Sequence, residues 1–183
     1  MVDRKRLRGL IWSAELVIFL ALCSQVVIPL PLVPLTGQTF AVGLLASLVD
    51  YRIANWTLIG YILLGLIGIP VFASGTSGVG ILFGPTGGFI FAFFVQAWIV
   101  IGLRRKNTVP YLIVGNLIGA LVQLVLGTIW LKFFNQMAWP AAFIAGTIPF
   151  LIPAVIKAVL ASVVARAVLV KIKIPLNMGQ RSE

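Results

Sequence analysis

The sequence predicts an all-α integral membrane protein with six transmembrane helices and both termini in the cytoplasm. Three observations predict it. First, 61% of the 183 residues are hydrophobic and only 10% are charged, with a mean hydropathy of +1.12. Soluble domains run at about 45–50% apolar and about 25% charged. That excludes a water-soluble globular domain, and it excludes a disordered chain. Second, long apolar runs recur between short polar, proline-rich or glycine-rich breaks. Third, the basic residues fall almost entirely on one side when the runs are taken as alternating crossings.

Residues 10–28 give the first span, with Glu15 as its one charge. Its basic head of Arg4, Lys5, Arg6 and Arg8 is also typical of a secretory leader. The apolar stretch is too long for one, and residues 25–35 hold no small-x-small cleavage pattern. The second span, 38–49, is worth roughly 18 Å of helix, short of the roughly 30 Å hydrocarbon core. Residues 29–37 must supply the missing depth. The third span covers 53–69, the fourth 88–103 and the fifth 111–131. Residues 141–170 are too long for one straight crossing. Pro149 and Pro153 near their start predict a short interfacial piece, then a sixth helix over 150–170. Residues 1–183 thus read as a single membrane domain.

Six spans place Arg4, Lys5, Arg6, Arg8, Arg52, Arg104, Arg105, Lys106, Lys171, Lys173 and Arg181 on one side, and only Lys132 on the other. The positive-inside rule puts the first side, with both termini, in the cytoplasm of a multi-pass plasma-membrane protein. Trp12 and Trp56 fall near the inner interface, Trp130 and Trp139 near the outer one, and Trp98 somewhat deeper. The net charge of +10 follows from topology and anionic headgroups, so no nucleic-acid partner is required. There is no histidine and a single cysteine, Cys23. An intrachain disulfide and a Cys/His metal site are therefore excluded, and Cys23 reads as a small packing residue.

Two segments break the helical bundle. Residues 29–39, PLPLVPLTGQT, are apolar enough to enter the membrane, but their three prolines forbid a regular helix. Non-helical backbone at membrane depth is tolerated only where protein or a water-filled cavity covers it. One reading folds this segment into the outer mouth of a cavity. The other makes it a surface hairpin. The short second span favours the first. Residues 70–88, PVFASGTSGVGILFGPTGG, lie in a stretch where Gly60, Gly65, Gly68, Gly75, Gly78, Gly80, Gly84, Gly87 and Gly88 make up half of the protein's 18 glycines. Val71, Phe72, Ile81, Leu82 and Phe83 in this loop should not face water. A flexible, greasy outer loop suits a lid over an apolar ligand; a tight packing loop is the alternative. GPTGG is not a phosphate loop, because no lysine follows its glycines.

Lys157 is the one charge deep in the sixth span. A lysine at a helix centre costs roughly 2.5–3.5 kcal/mol on insertion scales and marks a functional site by default. It lies about seven residues, roughly 10 Å, below Phe150, and no acidic residue is expected near it. An anion arriving from outside is its natural partner; snorkelling to the interface is the alternative. Gln96, Asn116 and Gln123 read equally as interhelical ties or ligand contacts, and Gly115-x-x-x-Gly119 and Ala161-x-x-x-Ala165 offer close-packing surfaces. With no histidine, no inward carboxylate pair and no nucleotide motif, the chain reads as neither an enzyme nor a self-powered pump. No cofactor is expected. What remains is a membrane-embedded protein that captures a small amphipathic anion. A structural membrane protein without a ligand is the different-class alternative, and a solitary transporter is a third reading.

PLTGQTF at 34–40, GIPVFASGTSG at 68–78, GPTGGF at 84–89 and IPFLIPAVIKAVLA at 148–161 resemble the motifs of the BioY family, in order along nearly the whole chain. BioY proteins are substrate-binding S components of energy-coupling factor (ECF) transporters. The resemblance implies a six-helix S-component fold that captures biotin near the outer surface. It also implies partnership with a transmembrane T component and two cytoplasmic ATPase subunits. On this reading Lys157 supplies positive charge to the ligand, and Thr36, Gln38 and Thr39 offer hydrogen bonds. Ser74, Gly75, Thr76, Ser77 and Gly78 form the lid, while Phe72 and Phe89 pack on the ring. Two positions depart from the family. The Ala-x-x-x-Ala docking pattern of many S components is missing from the first span, where Ala14 and Ala21 are seven apart. Ala154 stands where the family carries an aspartate, three residues before the lysine, that is expected to read the ureido head of biotin. An apolar residue there suits lipoate, an acid-tailed vitamin with no ring N–H. Biotin and lipoate are therefore both candidate ligands.

Overall fold

The computed structural model describes residues 4–104 and 108–171, with every side chain among them except that of Lys5. Arg105, Lys106, Lys173 and Arg181, counted above on the basic side, lie outside the described residues.

Helix α1 spans Arg4–Ser24. It stops short of the predicted residue 28: the Gln25 and Val26 N–H groups donate to Leu22 O and Cys23 O in a tighter turn, and the chain then enters a strand; the Ser24 hydroxyl lies 2.6 Å from both Ala21 O and Val71 O. Strands β1 (Val27–Ile28) and β2 (Leu35–Thr36) then pair antiparallel, Val27 opposite Thr36 and Ile28 opposite Leu35. The proline-rich segment between them is thus a small hairpin. Helix α2 (Gln38–Leu48) follows directly. Its eleven residues rise about 16 Å, and it is buried almost throughout, from Ala41 to Leu48. It is the central post of the fold. Helix α3 (Tyr51–Leu66) starts at Asp50, whose carboxylate accepts from the Ile53 N–H at 2.9 Å, an N-cap in the extended conformation.

The glycine-rich segment contains a 3-10 turn (Ala73–Gly75) and the one-turn helix α4 (Val79–Leu82). Helix α5 (Gly87–Leu103) and helix α6 (Val109–Phe134) form the most extensively packed pair. They approach through Gly115 and Gly119: a Cβ on Gly119 would stand 3.0 Å from Gln96 O, and one on Gly115 3.5 Å from the Val100 Cα. The small-residue pattern on α6 therefore does what close packing in lipid requires. The predicted interfacial piece is helix α7 (Trp139–Gly146) with a 3-10 turn (Ile148–Phe150), and helix α8 runs Leu151–Lys171. Pro149 sits in the turn and Pro153 in the first turn of α8, where a missing N–H costs no helical bond. Ala161 and Ala165 are buried, with Ala161 facing Gly43 of α2.

Two buried apolar clusters follow. The larger joins α1, α2, α3 and α5 around Leu20, Leu45, Leu58, Tyr61 and Val100. The smaller gathers Val33, Phe89, Ala120, Leu124, Leu131, Phe150 and Ala154. Outside them, α8 exposes Ile152, Val155, Ile156 and Val163, and α1 exposes Ile18 and Leu22. A soluble monomer does not carry apolar area on this scale. By length and composition, Arg6–Ser24, Val109–Phe134 and Trp139–Lys171 can each cross a bilayer; Gln38–Leu48 and Gly87–Leu103 are shorter apolar helices. The molecule is an integral membrane protein built of helices.

Candidate functional site

The hairpin, the glycine-rich loop, the starts of α2 and α5, the middle of α6 and the 3-10 turn before α8 line a cavity of about 260 Å³. That is just below the range of about 300–1,000 Å³ typical of small-molecule sites. Its floor and walls are Val33, Pro34 and Leu35 from the hairpin, Phe89, Ile90 and Phe93 from α5, Gln123 and Leu124 from α6, and Phe150. Thr36, Gln38, Thr39 and Thr86 bring hydroxyl and amide groups. Phe72, Ala73, Ser74, Thr76 and Ile81 close it from the loop. The surface is apolar with a few polar groups at its edges, the composition that holds a small amphipathic molecule.

The loop is shaped by its backbone. Ser74 has φ 58° and Gly78 φ 96°, and Gly78 N–H donates to Gly65 O at 2.7 Å. The Phe72 N–H donates to Thr76 O at 3.0 Å, and the Thr76 hydroxyl to Ala73 O at 2.8 Å, closing a small ring of chain. At the far end Trp130 Nε1 donates to Gly84 O at 2.9 Å. This indole, expected only as an interfacial anchor, also pins the loop. Val71, Phe72 and Leu82 are buried. Phe83 is 60% exposed and lies edge-on to Phe91 at 6.5 Å, on the outer surface of the bundle.

A line of hydrogen bonds joins the two loops. Thr36 Oγ1 donates to Gln38 Oε1 at 2.7 Å, Gln38 Nε2 to the Tyr61 hydroxyl at 2.7 Å, and that hydroxyl to Val71 O at 2.8 Å. Ser24 reaches the same Val71 O, and Gln25 Nε2 donates to Phe72 O at 3.2 Å. Tyr61, fully buried, also meets Phe72 edge-on at 5.4 Å.

Lys157 points inward, toward the hairpin. Its Nζ donates to Thr36 O at 2.6 Å and to Thr39 Oγ1 at 3.5 Å. The ammonium expected to stand unpaired is thus met by a main-chain carbonyl and a hydroxyl, dipoles that offset part of its desolvation. It reaches the cavity wall from behind, through two residues that line it.

Of the residues singled out from sequence, Thr36, Gln38, Thr39, Phe72, Ser74, Thr76 and Phe89 line the cavity. Gly75, Ser77 and Gly78 belong to the same loop without lining it, and Ala154 packs in the smaller apolar cluster. Sequence reasoning passed over Tyr61, Ser24, Gln25, Thr86, Phe93 and Phe150. A signal existed for the α5 residues, because Phe89, Ile90 and Phe93 share one helical face. The amides are now told apart: Asn116 ties α6 to Ser47 and Ser162, and Gln96 Nε2 donates to Thr39 O at 3.0 Å, whereas Gln123 also faces the cavity. Among the described residues no cluster of acidic, Cys or His side chains suits a metal.

With this geometry in view, comparison with known proteins is specific. A family model described as the BioY family matches residues 1–173. The chain is 47% identical over 135 residues to the biotin transporter BioY2 of Lactococcus lactis subsp. cremoris, covering 72% of this chain and 74% of that one. It is 38% identical over 137 residues to a probable biotin transporter BioY of Pyrococcus horikoshii, with 73% and 81% covered. It is 32% identical over 147 residues to the biotin transporter BioY of Thermotoga maritima, with 79% and 86% covered. In fold it is similar to the crystal structure of the S-component for biotin from an ECF-type ABC transporter. The TM-score is 0.81 at 24% identity, over 94% of this chain and 95% of the other. The family model, these relatives and the loop motifs that build the cavity agree: the chain belongs to the BioY family.

Proposed function

We propose that this protein is the substrate-binding S component of an ECF-type uptake transporter and that it captures biotin from outside the cell. It does no covalent chemistry. It sits in the plasma membrane as one domain of six spans with both termini in the cytoplasm, and works with a T component and two ATPase subunits. The observation that carries this reading is the cavity under the glycine-rich loop, apolar in its walls and polar at Thr36, Gln38, Thr39, Ser74 and Thr76. The names of the relatives support biotin in particular. Arg6 and Arg8 at the start of α1, Arg52 at the start of α3, Arg104 at the end of α5 and Lys171 at the end of α8 support the cytoplasmic termini, by the same rule as before. The cavity then opens on the opposite side. In this reading the Lys157 ammonium, behind the cavity wall at Thr36 and Thr39, supplies the positive field for the acid group of the ligand.

One observation favours lipoate: among the described lining residues none carries a carboxylate to accept ureido N–H groups. Titration of the purified protein with both vitamins tests the two readings. Biotin is expected to bind more tightly than about 1 μM. Tighter binding of lipoate selects the second ligand. Saturable binding of neither overturns both, and favours a structural protein. Co-purification with ATPase subunits separates an S component from a solitary transporter.

A further inference from the structure

Just behind the cavity wall lies a buried amide oxygen that the fold does not use. Gln123, on α6, is 3% exposed and lines the cavity beside Leu124. Its Nε2 donates to Phe89 O at 3.2 Å. Its Oε1 is buried and has no hydrogen-bond partner among the described residues. Buried acceptors are satisfied in the great majority of cases, so an unsatisfied one calls for an explanation. Gln96 and Asn116 also carry an unpaired amide oxygen, but neither residue lines the cavity, and Asn116 Oδ1 is packed against Gly43. The polar neighbours of Gln123 differ from it. The Thr36 hydroxyl and the Gln38 amide are engaged with each other and with Tyr61, and the described lining residues include no carboxylate. Gln123 is therefore the uncommitted amide acceptor at this wall.

We infer that Gln123 Oε1 accepts a hydrogen bond from an N–H on the ring of the captured vitamin, and so sets a preference for a cyclic-urea head over a ring without N–H groups. This rests on the proposed S-component function and deepens it. The terminal torsion of a glutamine is broad, so a modest turn presents the oxygen to the cavity while Nε2 stays near Phe89. A cyclic urea satisfies the acceptor. A dithiolane leaves it bare, and rejection of a ligand that lacks the matching polar group is the strong form of discrimination.

The test uses the full-length protein in detergent and three probes: biotin, desthiobiotin, which keeps the cyclic urea, and lipoate. The unaltered protein is expected to bind both ureas more tightly than lipoate. Gln123→Met, close in volume but without an acceptor oxygen, should weaken both ureas on the order of 10-fold or more and leave lipoate unchanged. Gln123→Glu, which keeps an acceptor oxygen but loses the donation to Phe89, should retain the preference. Equal losses for all three probes in Gln123→Met, or an unchanged affinity ratio, overturn the inference and assign the residue to packing. Loss of the preference in Gln123→Glu also overturns it, which keeps the test decisive if the Met variant does not fold. An unaltered protein that binds both ureas tightly while Gln123→Met keeps the ratio sinks this inference alone. An unaltered protein that prefers lipoate also overturns it and leaves the transporter reading standing. One that binds none of the three sinks the proposed function with it.

Discussion

At Lys157 two needs meet in one side chain. The ammonium ties α8 to the hairpin through Thr36 O, and its field reaches the cavity through Thr36 and Thr39. Lys157→Ala should lower affinity for an acid ligand by more than about 10-fold, and the loss should be smaller for an uncharged ester of the same ligand. The variant also strips the Thr36 carbonyl of its donor, so thermal stability in detergent should fall. Tyr61→Phe takes away the hydroxyl between Gln38 and Val71 and leaves a buried amide donor bare, a cost of about 1–3 kcal/mol. Both a lowered unfolding temperature and several-fold weaker capture should follow. Lys157 was legible because a charge in an apolar run is conspicuous. Tyr61 was not, because a tyrosine at a bilayer depth is chemically ordinary until its hydroxyl is seen between two loops.

Among elements, the helices were legible and their ends less so. The runs at 38–49, 88–103 and 150–170 match α2, α5 and α8 within a residue or so, because hydropathy reports directly on burial in lipid. The end of α1 was missed, because residues 27 and 28 pair with residues 35 and 36 as a strand, and hydropathy does not tell an apolar strand from the last turn of a helix. The proline-rich segment resolved two readings into one: it is a hairpin, and it lines the cavity. The glycines show how helices position the lid. A Cβ on Gly65 of α3 would strike the ring of Phe72, and one on Gly127 of α6 the ring of Phe89. Gly65→Ala should therefore displace the buried aromatic of the loop and weaken ligand capture by about 10-fold or more, since misplaced contacts of this size cost on the order of 1–3 kcal/mol. Helical content by circular dichroism should stay unchanged. Retained affinity in that variant means the loop does not depend on Phe72.

For the molecule as a whole, topology is the quantity to measure. Replacing Cys23 by alanine gives a cysteine-free background, since the chain has one cysteine. In that background Ser77→Cys is expected to react with a membrane-impermeant maleimide on intact cells, and Arg52→Cys only after permeabilisation. The reverse pattern inverts the orientation and removes any outward-facing cavity. The all-helical membrane fold was readable from composition and from the order of the BioY-like motifs, and the labelling above tests the orientation that charge asymmetry predicts. The site was readable only as two loops and a lysine, because its walls come from helix faces that apolar composition cannot distinguish from core.

The run of bonds from Thr36 through Gln38 and Tyr61 to Val71 has a mechanical corollary. Neither loop can swing away without stripping a buried amide or phenol of its partner. On the proposed capture reading, parting the hairpin from α2 or the glycine-rich segment from α3 therefore costs a buried hydrogen bond each time, so admission of a guest molecule should be slow compared with the motion of an untethered loop.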